Sequence, residues 1–226
     1  MANILHIETS AKRCSVAVSA NNQLLAAEGI TTDGYVHAEM LHVLVADALR
    51  NSALSMTDLQ AVAVSKGPGS YTGLRIGVSA AKGFCYALDI PLLSVDTTAV
   101  IAFHAGRTFP DALRVVSMID ARRMEVYCGV FDQSITRLEP DRAVIVDENF
   151  TTSYDPERTV FAGDGAAKVS QFGPSDLIVH SFLPSAEMMI EPVLHKYQNA
   201  QFENNLTFEP YYLKDYLPGI TKKTLV

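Results

Sequence analysis

The sequence predicts an α/β protein made of two related lobes. Three observations carry this reading. Each half opens with an apolar strand pair joined by a short polar turn, at 4–20 and again at 114–131. An order of three antiparallel strands followed by alternating helix and strand then runs twice, over roughly 100 residues each time, which is the signature of a duplicated unit rather than a single Rossmann sheet. Between the two passes, residues 105–111 hold Gly106, Pro110 and polar neighbours, as a junction does. The lobes are therefore placed at 1–106 and 107–226.

In the first lobe, residues 4–9 and 14–20 read as strands, the second with Val16 and Val18 alternating against Ser15, Ala17 and Ser19. Ser10-Ala11-Lys12-Arg13 joins them. Asn21-Asn22 is a turn signal, because both residues tolerate left-handed backbone, and 23–29 returns as a third strand. The period turns helical over 36–52, where Met40, Leu41, Leu44, Val45, Ala48 and Leu49 share a side. A short apolar strand at 61–65, a glycine-rich turn, a second helix to 88 and a strand at 91–95 complete the lobe. In the second, 114–120 and 124–131 form a hairpin closed by Ala121-Arg122-Arg123. Further strand material lies at 135–146, short strands at 159–162 and 177–180, and helices at 166–172 and 185–200.

Composition narrows the function. The chain has 226 residues, 48% of them hydrophobic and 19% charged, with a formal net charge of −7. That is enough apolar material for a core, and the negative balance without any Lys/Arg run argues against a protein that grips nucleic acid by itself. No apolar run approaches the roughly 18 residues of a membrane helix, and Met1-Ala2-Asn3 lacks the basic start of a signal peptide. Cys14, Cys85 and Cys128 are widely spaced and form no CxxC pair, so neither a disulfide framework nor a zinc ribbon is encoded. The expectation is an unprocessed cytoplasmic protein.

The segment richest in chemistry is Lys66-Gly67-Pro68-Gly69-Ser70-Tyr71-Thr72-Gly73-Leu74-Arg75-Ile76-Gly77, a glycine turn between strand and helix. It matches neither the P-loop nor the dinucleotide fingerprint. Two uses stay open: a tight turn with a Ser or Thr N-cap, or an anion site at the helix start involving Gly67, Gly69, Ser70 and Thr72. Further along, Gly73, Gly77 and Ala81 recur every fourth residue and flatten one face of the helix, either for packing on the protein's own sheet or for a partner subunit. His37-Ala38-Glu39 and His42 lack the i, i+4 spacing of a zinc-protease helix, and no Gly-x-Ser-x-Gly elbow is present. Glu8 and Asp120 end equivalent strands. They suit a nucleotide-flanking carboxylate pair, or else hairpin ends facing solvent, with Asp120 ion-paired to Arg122 or Arg123.

Ile4-Leu5-His6-Ile7-Glu8-Thr9-Ser10, His37-Ala38-Glu39, the glycine motif, Ile119-Asp120-Ala121-Arg122-Arg123-Met124-Glu125-Val126-Tyr127, Gly163-Asp164-Gly165 and Glu209-Pro210-Tyr211-Tyr212-Leu213 together resemble the TsaB (YeaZ) family, colinearly over nearly the whole chain. The resemblance implies an actin/sugar-kinase/Hsp70-like fold and a noncatalytic role beside a TsaD-like subunit. That subunit, with a TsaE-like ATPase, makes N6-threonylcarbamoyladenosine on tRNA. ATP and metal belong to those partners. The TsaD-like metal motif His-x-x-x-His falls here on Thr97 and Ile101, and Ile cannot ligate a metal. The M22 peptidase label attached to such proteins finds no nucleophile or metal pair here. Met40, Leu44, Gly73, Gly77, Ala81 and Phe84 are expected at a partner or homodimer interface, so that Gly77→Leu or Ala81→Glu should leave the chain folded but unable to bind its partner. An independent actin-like ATPase or small kinase, using Glu8, Asp120 and the glycine turn, is the alternative.

Overall fold

The computed structural model describes residues 2–32 and 36–214. The duplication is literal in the strand order. The first sheet holds β1 (Asn3–Glu8), β2 (Arg13–Ala20), β3 (Gln23–Thr31), β4 (Ala61–Gly67) and β5 (Leu92–Asp96) in the order β3-β2-β1-β4-β5. The second holds β6 (Arg114–Asp120), β7 (Glu125–Asp132), β8 (Arg137–Ile145), β9 (Thr159–Ala162) and β10 (Ile178–His180) in the matching order β8-β7-β6-β9-β10. In both, the first three strands are antiparallel and the last two join in parallel. The β2–β3 turn is a two-residue loop with Asn21 and Asn22 both left-handed, φ 47° and 69°, as a type I′ hairpin requires.

The helices differ between the lobes. In the first, α1 (His37–Asn51) and α2 (Tyr71–Leu88) cover one face of the sheet, where Leu5, Ile7, Val16, Val62 and Val64 meet Leu41, Val45, Val78 and Ala81. Their counterparts in the second lobe shrink to 3₁₀ turns at Phe150–Ser153 and Ala166–Gln171. The expected helix at 185–200 is a 3₁₀ turn, Ala186–Met189, leading into α4 (Ile190–Gln198). The sequence pattern misses α3 (Thr97–Thr108) altogether, and its last turn overlaps the stretch expected to be the junction. Its β-branched start is a poor helix former, and it is apolar on several sides because it lies between the sheets. Val100 packs toward the first sheet, whereas Ile101, Ala102 and Ala105 pack toward the second. Met189 and Val193 at α4 return to the first sheet.

Polar contacts join the lobes beyond this core. Asp96, at the end of β5, accepts Lys66 at 3.2 Å and Arg137 of β8 at 3.3 Å, and Arg137 also pairs with Asp141. After α4 the chain runs back over the first lobe: Glu203 N–H donates to the Leu92 carbonyl (2.9 Å), Lys82 Nζ to the Phe208 carbonyl (2.8 Å), and Tyr211 N–H to the Lys66 carbonyl (2.7 Å).

The flat strip on α2 is consumed internally, which corrects part of the interface expectation. Gly73, Gly77 and Ala81 are buried within this one chain. A methyl group on Gly73 would run into the Thr9 carbonyl oxygen, and one on Gly77 into the Thr9 hydroxyl. Gly77→Leu and Ala81→Glu therefore attack the fold, and a lost partner would follow from unfolding. By contrast, a Cβ on Gly83, further along the same helix, meets nothing within 4 Å. Gly73→Ala should reduce the unfolding free energy by about 1–3 kcal/mol through overpacking, whereas Gly83→Ala should raise it by about 1 kcal/mol. Urea titrations of both variants check this, and a Gly73→Ala chain as stable as the parent would refute the packing role.

Candidate functional site

Because both sheets share one topology, the β1–β2 and β6–β7 turns lie at matching ends of their lobes. They border a cleft of about 730 Å³. From the first lobe it is lined by Ser10, Lys12, Gly69, Ser70, Tyr71 and Thr72; from the second by Asp120, Arg122, Glu125, Tyr127 and Asp164; and Lys214 of the returning tail closes one side.

The glycine turn is held by the hairpin beneath it. Ser70 N–H donates to the Ser10 carbonyl at 2.7 Å, and Ser70 Oγ accepts Gly73 N–H at 3.3 Å as the N-cap of α2. Gly69 presses on Ser10, where a Cβ would come within 2.5 Å of its carbonyl oxygen. Gly67, at φ +113°, faces the Tyr211 carbonyl and does not line the cleft. Of the candidate anion residues, Gly69, Ser70 and Thr72 thus reach the cleft, with the Ser70 hydroxyl engaged as a cap.

Glu8 is neither a cleft carboxylate nor a solvent-facing hairpin end. It is fully buried below the turn, and Oε1 accepts Ser10 N–H at 2.6 Å. Burial raises its pKa, opposed by hydrogen bonds from Ser10, Ser65 and Thr9. Asp120 does line the cleft, but its ion-pair partner is Lys168, at 2.7 Å, rather than Arg122 or Arg123. Arg122 contributes its backbone N–H to Asp120 Oδ1 (2.6 Å).

Sequence reasoning passes over three cleft residues as chemistry. Asp164 Oδ1 accepts Asp120 N–H at 3.1 Å, and burial holds its pKa up at about 6. Its signal is the Gly-Asp-Gly at the end of β9, where Gly163 takes φ +109° as Gly67 does at the end of β4. Glu125 pairs with Lys214 at the rim. Tyr71 stacks on Tyr212 with ring centroids 4.8 Å apart, and the Arg75 guanidinium lies 4.3 Å from the Tyr71 ring centre while donating to Tyr212 Oη at 3.0 Å.

His6 and His37 are structural. His6 is buried against Ser19 Oγ at 2.8 Å, and burial lowers its pKa to about 3. His37 pins the start of α1 to the Ala11 carbonyl at 3.0 Å, and His42 stands exposed with its ring edge on Phe84. Among the described residues no group of three or more His, Cys, Asp or Glu side chains is placed to hold a metal. Thr97 and Ile101 are fully buried. None of the described helices is long and apolar enough to cross a membrane.

On the helices of the first lobe, Met40 and Phe84 are half-buried against the core and Leu44 is nearly sealed within it, whereas Val43 (47%) and Tyr86 (80%) are exposed.

Comparison with known proteins follows this geometry. Residues 34–216 match a family profile described as TsaD, tRNA N6-adenosine threonylcarbamoyltransferase. The chain is 38% identical over 136 residues to the Escherichia coli tRNA threonylcarbamoyladenosine biosynthesis protein TsaB, spanning 58% of this chain and 55% of that one. It is 34% identical over 160 residues to the Bacillus subtilis TsaB, spanning 70% and 68%. The solved YeaZ of Pseudomonas aeruginosa superposes with a TM-score of 0.82 at 27% identity, over 94% of this chain and 100% of that one. In fold alone, the chain also resembles an activator of 2-hydroxyisocaproyl-CoA dehydratase from Clostridium difficile, with a TM-score of 0.54 at 9% identity, over 88% and 96% of the two chains. The two lobes are thus of the actin/sugar-kinase/Hsp70-like kind.

A carboxylate whose folded pKa of about 6 exceeds its ordinary 3.8 stabilises the fold while protonated. That contribution is complete below about pH 4 and is lost as pH rises through 6. Asp164→Asn keeps the acceptor oxygen and removes the titration. The stability of the variant relative to the parent should therefore rise between pH 4 and pH 7, as measured by urea unfolding at both; a constant difference would refute the assignment.

Proposed function

Because the chain belongs to the TsaB (YeaZ) family of tRNA threonylcarbamoyladenosine biosynthesis proteins, we propose that it acts as the noncatalytic subunit of that machinery, supporting a TsaD-like subunit that transfers the threonylcarbamoyl group to tRNA adenosine. The observation that carries this reading is the burial of Thr97 and Ile101 inside α3. These are the positions that the TsaD-like motif would fill with metal-binding histidines. Ile101 packs in the apolar core of the second lobe and has no atom that could ligate a metal. The transfer chemistry, and the ATP and metal that serve it, then belong to the partner and to a TsaE-like ATPase. The protein works in the cytoplasm, and tRNA reaches it through the assembled complex.

The docking surface in this proposal is the outer face of α1 and α2. Val43 of α1 and Tyr86 of α2 are exposed apolar side chains there, of the kind an obligate interface covers. The same face supports self-association when the partner is absent. The cleft favours a second reading, an ATPase or small kinase in its own right. Yet Asp164 lines it without an ion-pair partner among the described residues, and an unpaired carboxylate disfavours a triphosphate there. Magnesium-dependent ATP turnover by the purified chain would establish that second reading.

Depletion of the protein in its own cells should abolish threonylcarbamoyladenosine in total tRNA, measured by nucleoside mass spectrometry. In the same assay Val43→Glu, which changes an exposed side chain, should reproduce the loss and abolish co-purification of the TsaD-like subunit without lowering the melting temperature. Unchanged modification after depletion would overturn the proposal.

A further inference from the structure

We propose that the cleft between the lobes receives one unpaired nucleotide of an RNA strand, base inside and flanking phosphates on the rim. This rests on the reading that the protein serves tRNA modification and names the part of the RNA that the chain itself would touch.

The charge layout carries the argument. Lys12 on the β1–β2 turn and Arg122 and Arg123 on the β6–β7 turn are exposed and make no ion pair among the described residues. Lys12 and Arg122 line the cleft from opposite lobes, and Arg123 adjoins it. Asp120 and Glu125, which are partly open to solvent, are already neutralised by Lys168 and Lys214, which leaves Asp164 as the cleft carboxyl without a cation within ion-pair distance among the described residues. A triphosphate set against Asp164 would bring like charges together. The layout fits a neutral base whose exocyclic amine donates to Asp164 while its phosphates meet Lys12, Arg122 and Arg123. Adenine, cytosine and guanine carry such an amine.

Arg122 and Arg123 both sit in left-handed conformation, φ 73° and 48°, which glycine and asparagine adopt far more readily, so an Asn-Gly pair suits this turn at least as well. The aromatic lining gives independent support. Tyr71 and Tyr127 line the same space, and Tyr71 is held in place by Tyr212 and Arg75. Aromatic rings interleaved with basic side chains form a stacking platform for unpaired bases. The cleft's 730 Å³ suits a ligand of that size. With a net charge of −7 the chain alone binds weakly, and its contact adds to a grip supplied by the partner.

The test uses the full chain and a labelled RNA hairpin with an unpaired loop, followed by fluorescence anisotropy. Three phosphate contacts predict a log–log salt slope of about −2, so affinity should fall about fourfold per doubling of salt. The triple variant Lys12→Ala, Arg122→Asn, Arg123→Gly removes the charges and suits the turn backbone. It should melt no lower than the parent, bind at least fivefold more weakly and lose most of the salt slope. Blunt duplex RNA and millimolar ATP with magnesium should not displace the hairpin. Equal binding by the folded triple variant, or displacement by ATP, would overturn the cleft assignment. Persistence of threonylcarbamoyladenosine after depletion would instead overturn the functional reading, whatever the anisotropy shows.

Discussion

The close approach of the β1–β2 turn to the first two turns of α2 is the constraint from which most of the molecule follows. Thr9 and Ser10 lie directly on Gly69, Gly73 and Gly77, at separations that leave no room for a Cβ. Backbone then touches backbone, and Ser70 N–H reaches the Ser10 carbonyl. Once α2 is seated in this way, the start of α1 is fixed through His37 and the Ala11 carbonyl. The rim of the cleft and the outer helical face are therefore two sides of one rigid unit. Three glycines in and before a helix are costly in conformational entropy, and this contact is what offsets that cost.

The second lobe is attached to this unit rather than built like it. Its sheet repeats the strand order, but its two covering helices are reduced to 3₁₀ turns. Its register against the first lobe comes from α3 lying between the sheets, from α4 returning to β5, and from Asp96 holding both Lys66 and Arg137. The tail adds a further tie, since Tyr212 rests on α2 while Lys214 pairs with Glu125 of β7. Of these contacts only the Lys214–Glu125 pair has both residues in the cleft lining; α3, α4 and Asp96 join the lobes away from it.

The strands and their order were legible in the sequence because they follow period-two alternation and turn chemistry, both local. Asn21-Asn22 is the clearest case, a turn whose residues match their φ angles. What the sequence hid was set by tertiary environment. α3 has the wrong propensity and no amphipathic stripe because both sides are buried. Glu8 looks like a strand-end carboxylate and is sealed by the next element in space. The glycine strip has the spacing of a helix interface, and only the position of Thr9 shows that its partner is the same chain. Asp120 sits beside two arginines in sequence but pairs with Lys168, 48 positions away.

The asymmetry between the lobes bears on function. The first turn packs on α2, while the second carries Asp120 and two arginines in left-handed backbone. The first lobe alone keeps long helices, and it presents their outer face with Val43 and Tyr86 exposed. Exposed apolar side chains thus lie on the long helices of the first lobe, and positive charge, unpaired among the described residues, on the two turns that border the cleft, so the two surfaces differ in the kind of partner each can hold.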